Sequence, residues 1–132
     1  LQPSSEYSPK EVVEIVLSAL KEKDTPYPDA GIEQTFLFAS PQNRQNTGPL
    51  SHFKAMVKQP MYATMIYHRS VEMGPTEIQG DTATIPIIIT SLSGQIFGFL
   101  WILSQQKASP YENFWMTEGV RKVNLNQTLN AM

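Results

Sequence analysis

Apolar positions change period along the chain, recurring at helical spacing up to about residue 58 and alternating from about residue 66. Ser8-Pro9-Lys10-Glu11 supplies a capping serine, a proline at the first helical position and a glutamate placed to close a capping box. The helix it opens carries Val12, Val13, Val16, Leu17 and Leu20 as its apolar stripe, widened by Ile15 and Ala19. Lys10, Glu14, Ser18 and Lys21 take the other side, and the helix fades near Lys23. Asp24 to Gly31 is dense in turn formers and proline, so it connects rather than packs. A short second helix is expected over Ile32–Ala39, with Ile32, Phe36, Leu37 and Ala39 apolar and Pro41 closing it. Residues 41–49 read as a polar loop, and Leu50–Lys58 as a third helix whose apolar set is Leu50, Phe53, Met56 and Val57.

Beyond Pro60 the residues become aromatic and β-branched. From Ile66 a strand is expected, with Ile66, His68, Ser70 and Glu72 on one face and Tyr67, Arg69, Val71 and Met73 on the other. Gly74-Pro75 breaks it, and Gly80-Asp81 is a hairpin signal. Thr82–Ser91 is the next strand; Pro86 cannot donate to a ladder, so an edge or a bulge is expected there. Ile96–Gln105 is apolar on both faces, as a central strand would be. Asn113–Val123 supplies the last strand. The expected organisation is a flexible lead-in over 1–7, one domain over 8–123 and a polar tail over 124–132. Helices first and strands afterwards make a segregated α+β pattern, with helices gathered on one face of an antiparallel sheet.

Composition narrows the partners. Ten Lys+Arg against twelve Asp+Glu leave a formal charge of -2, so the positive field that draws proteins to phosphate backbones is missing and nucleic acid is not an expected partner. The absence of cysteine removes disulfides, thiolate metal sites and cysteine nucleophiles. The longest apolar runs, Ile85–Ile89 and Ile96–Leu103, fall short of the ~20 residues that span a bilayer, so no membrane partner is expected either. Asn126-Gln127-Thr128 matches the glycosylation acceptor pattern, a short pattern that chance supplies often.

The run Gly80-Asp81-Thr82-Ala83-Thr84-Ile85 is similar to the turn and alternating strand of the nuclear transport factor 2-like superfamily, which includes ketosteroid isomerases and SnoaL-type polyketide cyclases. More narrowly, Gly31-Ile32-Glu33, Phe38-Ala39-Ser40-Pro41, Thr47-Gly48-Pro49-Leu50, Trp101-Ile102-Leu103 and Trp115-Met116-Thr117-Glu118-Gly119-Val120 resemble an uncharacterised family of that fold, found largely in photosynthetic organisms. The resemblance covers roughly residues 8–123. It implies a cystatin-like cone of curved sheet closed by N-terminal helices, and a homodimer formed through the sheet face. It also implies a soluble protein of the cytoplasm or plastid stroma. It transfers no catalytic residue.

A sheet curved around helices leaves a concave, mostly apolar pocket, so polar groups on apolar faces matter most. Period-two counting places Glu118 with Phe114, Met116 and Val120, where burial would tune a carboxylate toward acid or base work. Pairing with Arg121, Arg69 or Lys122, or a solvent-facing end beside Gly119, is the stronger explanation. His68 shares a face with Ile66 and is the second catalytic candidate, with a hydrogen-bonded strand histidine as the structural alternative. His52 falls on the polar side of a short helix, and two distant histidines make no metal site. Trp101, Tyr62, Tyr67, Phe97 and Trp115 are the candidate ligand-binding residues, and core or dimer interface is the alternative for each.

Two functions follow. One is a small-ligand-binding or protein-interaction module, acting as a homodimer on a small apolar ligand. The other is a cofactor-free isomerase, cyclase or dehydratase with Glu118 or His68 as base and Trp101 or a tyrosine supporting an oxyanion. Fold analogy alone does not decide between them.

Overall fold

The computed structural model describes residues 1–132. Five helices precede the sheet: α1 (Pro9–Lys21), α2 (Ala30–Leu37), α3 (Pro41–Thr47), α4 (Leu50–Val57) and α5 (Pro60–Ala63). Five strands follow, β1 (Ser70–Met73), β2 (Glu77–Gln79), β3 (Thr82–Thr90), β4 (Ile96–Gln105) and β5 (Trp115–Val123), and the chain closes with α6 (Leu125–Ala131). The class is α+β, and the antiparallel sheet is open, in the order β1-β3-β4-β5 with β2 also on the edge of β3.

Local chemistry sets α1 as the sequence predicts. The Ser8 hydroxyl accepts from the Glu11 amide, the Glu11 carboxylate accepts from the Ser8 amide, and Pro9 occupies the first turn. Its stripe, Val12, Val13, Val16, Leu17 and Leu20, is buried. Helix α2 crosses α1 so closely that a Cβ on Gly31 would stand 2.0 Å from the Ala19 carbonyl oxygen. Only glycine permits that approach.

Three expectations about the helical half are corrected. Helix α2 lies two residues earlier than predicted, and Phe38 rather than the 37%-exposed Leu37 enters the core. The reason is that the chain leaves the helix after Leu37 to form a bridge between Ala39 and Thr117 of β5. Residues 41–47, expected as loop, form α3: Ser40 caps it by accepting from the Asn43 amide and Pro41 starts it. The strand expected from Ile66 begins only at Ser70, because Pro60–Ala63 is helical and Tyr67 takes a left-handed φ of 57°. His68 therefore lies before the strand rather than on its face.

Strand β4 is central, pairing with β3 on one side and β5 on the other. Ala83, Ile85, Ile87 and Ile89 of β3 and Phe99, Trp101 and Leu103 of β4 point at the helices and join the helical stripe in one apolar cluster. Pro86 lies opposite the break between β1 and β2, where its missing donor is not needed; its carbonyl still accepts from Gly74 at 2.8 Å.

The helices do not all share one face. Residues 124–132, expected as a polar tail, form α6 on the opposite side of the sheet. Thr128 packs onto Gly98, where a Cβ would meet its hydroxyl at 2.2 Å. Gly98, with no side chain, leaves the room on the outer face that Thr128 takes. Thr128 of the glycosylation-like triplet is thereby buried.

Candidate functional site

Between the helices and the inner face of the sheet lies a cavity of about 230 Å³. Its apolar wall comes from Leu20 of α1, Phe53, Met56 and Val57 of α4, Tyr62 of α5, Met65, and Trp101 and Val120 of the sheet. Its polar wall comes from Thr35 of α2, Asn43, Asn46 and Thr47 of α3, and Thr117 and Glu118 of β5. No helix of the chain is long and apolar enough to cross a membrane.

The polar wall is largely occupied with itself. Trp101 Nε1 donates to Thr117 Oγ1 at 3.0 Å. The Thr117 carbonyl accepts from the Ser40 amide at 2.9 Å and from Asn43 Nδ2 at 3.0 Å, while the Thr117 amide donates to Phe38. Thr47 Oγ1 donates to the Asn43 carbonyl, and Thr35 Oγ1 to the Gly31 carbonyl, each at 2.8 Å. Thr117 thus holds the start of α3 against β5 and takes the Trp101 indole donor. The Tyr62 hydroxyl donates to the Val120 carbonyl at a long 3.3 Å, and burial alone raises its pKa above 10.

Glu118 reaches this wall by a bulge. Leu103 pairs with Thr117 and Ile102 with Gly119, so Glu118 is the extra residue and the period-two count across it fails. Its carboxylate accepts from the Ser104 hydroxyl, and none of the expected pairings with Arg69, Arg121 or Lys122 forms.

The remaining candidates disperse. His68 lines a separate groove between α1 and β1, not the cavity, so the two catalytic candidates do not share a recess. Tyr67 is 40% exposed, and its hydroxyl donates to Asp24. It belongs to a clasp in which Lys23 bridges Asp24 (2.7 Å) and Asp29 (2.8 Å) and Lys58 reaches Asp29 at 2.9 Å. Hydrogen bonds from Lys23 hold the Asp24 carboxyl well below the usual range, and Asp24 in turn raises the Tyr67 phenol. Phe97 lies under the Lys122 ammonium, 5.0 Å from the ring centre, and Trp115 is buried in the main apolar cluster. His52 is exposed, with Nδ1 3.0 Å from the Thr47 carbonyl oxygen. No cluster of three His, Asp or Glu side chains could hold a metal ion.

Of the seven residues singled out from sequence, the cavity gathers Trp101, Tyr62 and Glu118. Sequence reasoning missed Asn43, Thr47 and Thr117. The signal for α3 was present, since Ser40-Pro41 repeats the Ser8-Pro9 start, but PQNRQNT has no apolar stripe to announce a helix.

The residues define an α+β domain with an open antiparallel sheet and a cavity between its helices and its inner face. The chain belongs to the family described as a domain of unknown function (DUF4864), which matches residues 4–128. No curated protein and no solved structure matches it.

Proposed function

We propose that this chain is a binding module for a small, predominantly apolar, uncharged molecule held in the cavity between helices and sheet. The observation that carries the reading is the state of the cavity's polar groups: apart from Asn46, the weakly held Tyr62 hydroxyl and the second oxygen of Glu118, each named above is already hydrogen-bonded within the chain. Such a wall offers a ligand dispersion contacts with Trp101, Phe53 and Met56 and a few hydrogen bonds, from Tyr62, Asn46 and the second Glu118 oxygen. A volume of about 230 Å³ suits a molecule of one or two rings, since an apolar cavity of about 150 Å³ takes benzene. Helices followed by an antiparallel sheet with a cavity between them support the nuclear transport factor 2-like reading of the fold.

Binding is favoured over turnover. An isomerase, cyclase or dehydratase of the expected kind pairs its acid and base across one pocket, and here Glu118 lines the cavity while His68 faces another recess. A homodimer through the outer sheet face belongs to the same reading. With α6 covering Gly98, the strip left for a second copy is the half-buried Leu100 and Ile102 beside exposed Ile96.

Native mass spectrometry of the purified chain tests both parts. The expected result is a dimer retaining a small neutral adduct, with the adduct absent from Met56→Trp, which fills the cavity. A bare monomer would overturn the reading.

A further inference from the structure

The groove between α1 and β1 encloses about 410 Å³ and contains a nitrogen lone pair that nothing in the chain uses. Lys10, Ser18 and Lys21 line it along α1, His68 and Ser70 line it opposite, and Glu14 is its one carboxylate. His68 is 3% exposed, and its Nδ1 lies 2.7 Å from the Met65 carbonyl oxygen. A carbonyl only accepts, so Nδ1 carries the hydrogen and Nε2 of the neutral ring is left as an acceptor. Nε2 has no partner, yet the one fully buried side-chain polar atom without a partner is Arg44 Nη2. The His68 acceptor is therefore not sealed in, and the recess that His68 lines is this groove. Burial, helped by the Lys21 charge and opposed by the Met65 bond, keeps the imidazole pKa below 6.5, so the ring is neutral at pH 7. Lys10 and Lys21 enter none of the chain's ion pairs; Lys21 Nζ donates only to the Arg69 carbonyl, at 3.2 Å.

We propose that this groove binds a small oxyanion that still carries a proton, of the hydrogen-phosphate class, with Lys10 and Lys21 facing its charge and His68 Nε2 accepting from its P–OH. Two ammonium groups draw an anion, but a lone pair and the Glu14 carboxylate repel one that has no hydrogen to give. Sulfate and ordinary carboxylates are fully deprotonated at neutral pH. Phosphate retains a hydroxyl, and Ser18 and Ser70 add donors for its remaining oxygens.

The test is a titration of the full chain at pH 7, followed through the imidazole nitrogen resonances of His68. Inorganic phosphate is expected to move Nε2 saturably, and sulfate at equal ionic strength to bind about tenfold or more weakly, the discrimination that a hydrogen-bonding acceptor supplies. Lys10→Met, an exposed change that leaves the fold alone, is expected to weaken phosphate binding severalfold. His68→Asn keeps a donor for Met65 but lacks the Nε2 acceptor; followed by the amide resonances of Ser70 and Val71, it is expected to abolish the preference for phosphate over sulfate. Methyl phosphate at about pH 6, where its second proton is partly retained, separates the sources: binding at parity assigns the groove to phosphomonoesters, and binding of inorganic phosphate alone to the free ion. No movement of His68 with phosphate, equal responses to phosphate and sulfate, or an unchanged preference in His68→Asn would each overturn the proposal.

Discussion

Beneath the helices, the cavity wall of Trp101, Phe53, Met56 and Thr117 has most of its hydrogen-bonding capacity spent inside the chain, whereas the groove between α1 and β1 keeps the His68 acceptor unused and two lysines outside any ion pair. Both recesses are built on α1 and the sheet. They differ in which atoms the backbone has already claimed. In the cavity, Thr117 is bonded through its amide, carbonyl and hydroxyl, which fixes the wall and leaves shape and dispersion to select a ligand. In the groove, one backbone bond fixes a tautomer and so creates a free acceptor. Counting polar lining residues does not separate the two, since each recess has six; what separates them is which of those atoms are already bonded.

The contrast can be broken most severely at Trp101. Trp101→Ala removes a 2%-exposed ring and the donor to Thr117, and is expected to cost about 3–5 kcal/mol in chemical denaturation. The groove should feel that change only through global stability. Gly98→Ala comes next. It drives a methyl into Thr128 on the outer face, with an expected loss of about 1–3 kcal/mol and faster amide exchange in α6, while the cavity on the inner face still binds its probe.

A smaller effect separates the recesses by pH. The folded pKa of His68 lies below its unfolded value of 6.5, so the unfolded chain takes up more protons as pH falls. Stability is therefore unaffected above about pH 7 and declines as pH drops through 6.5 toward the folded value. Denaturant midpoints from about pH 7 to about pH 5 should fall less in His68→Asn than in the parent chain. The least effect is expected at Tyr67→Phe, which loosens the exposed bond to Asp24 and should leave cavity binding unchanged by the same titration.

Much of the architecture was legible where one signal sufficed. The Ser8-Pro9-Glu11 start, the α1 stripe, the Gly80-Asp81 hairpin, the central β4 and the interruption at Pro86 are each local or strictly periodic, and each is found where the sequence places it. The failures are of two physical kinds. Helices α3 and α6 carry almost no apolar stripe of their own, because α3 is held by caps and by Thr117 while α6 is seated by a glycine in another strand. Periodicity also misleads where the backbone departs from it: the left-handed Tyr67 puts His68 before its expected strand, and the bulge at Glu118 breaks the count with Met116 while leaving Glu118 in the cavity wall with Val120. Trp101 and Tyr62 were reachable because an aromatic residue on an apolar face has few other places to go.

The central claim, that the space between helices and sheet takes an apolar guest, is tested most directly by methyl NMR of Met56, Val57, Met65 and Val120 during titration with 1-naphthol. Saturable shifts confined to those methyls, lost in a folded Met56→Trp variant, are the expected result. Methyl signals that stay fixed through the titration, or that move equally once the cavity is filled, would contradict it.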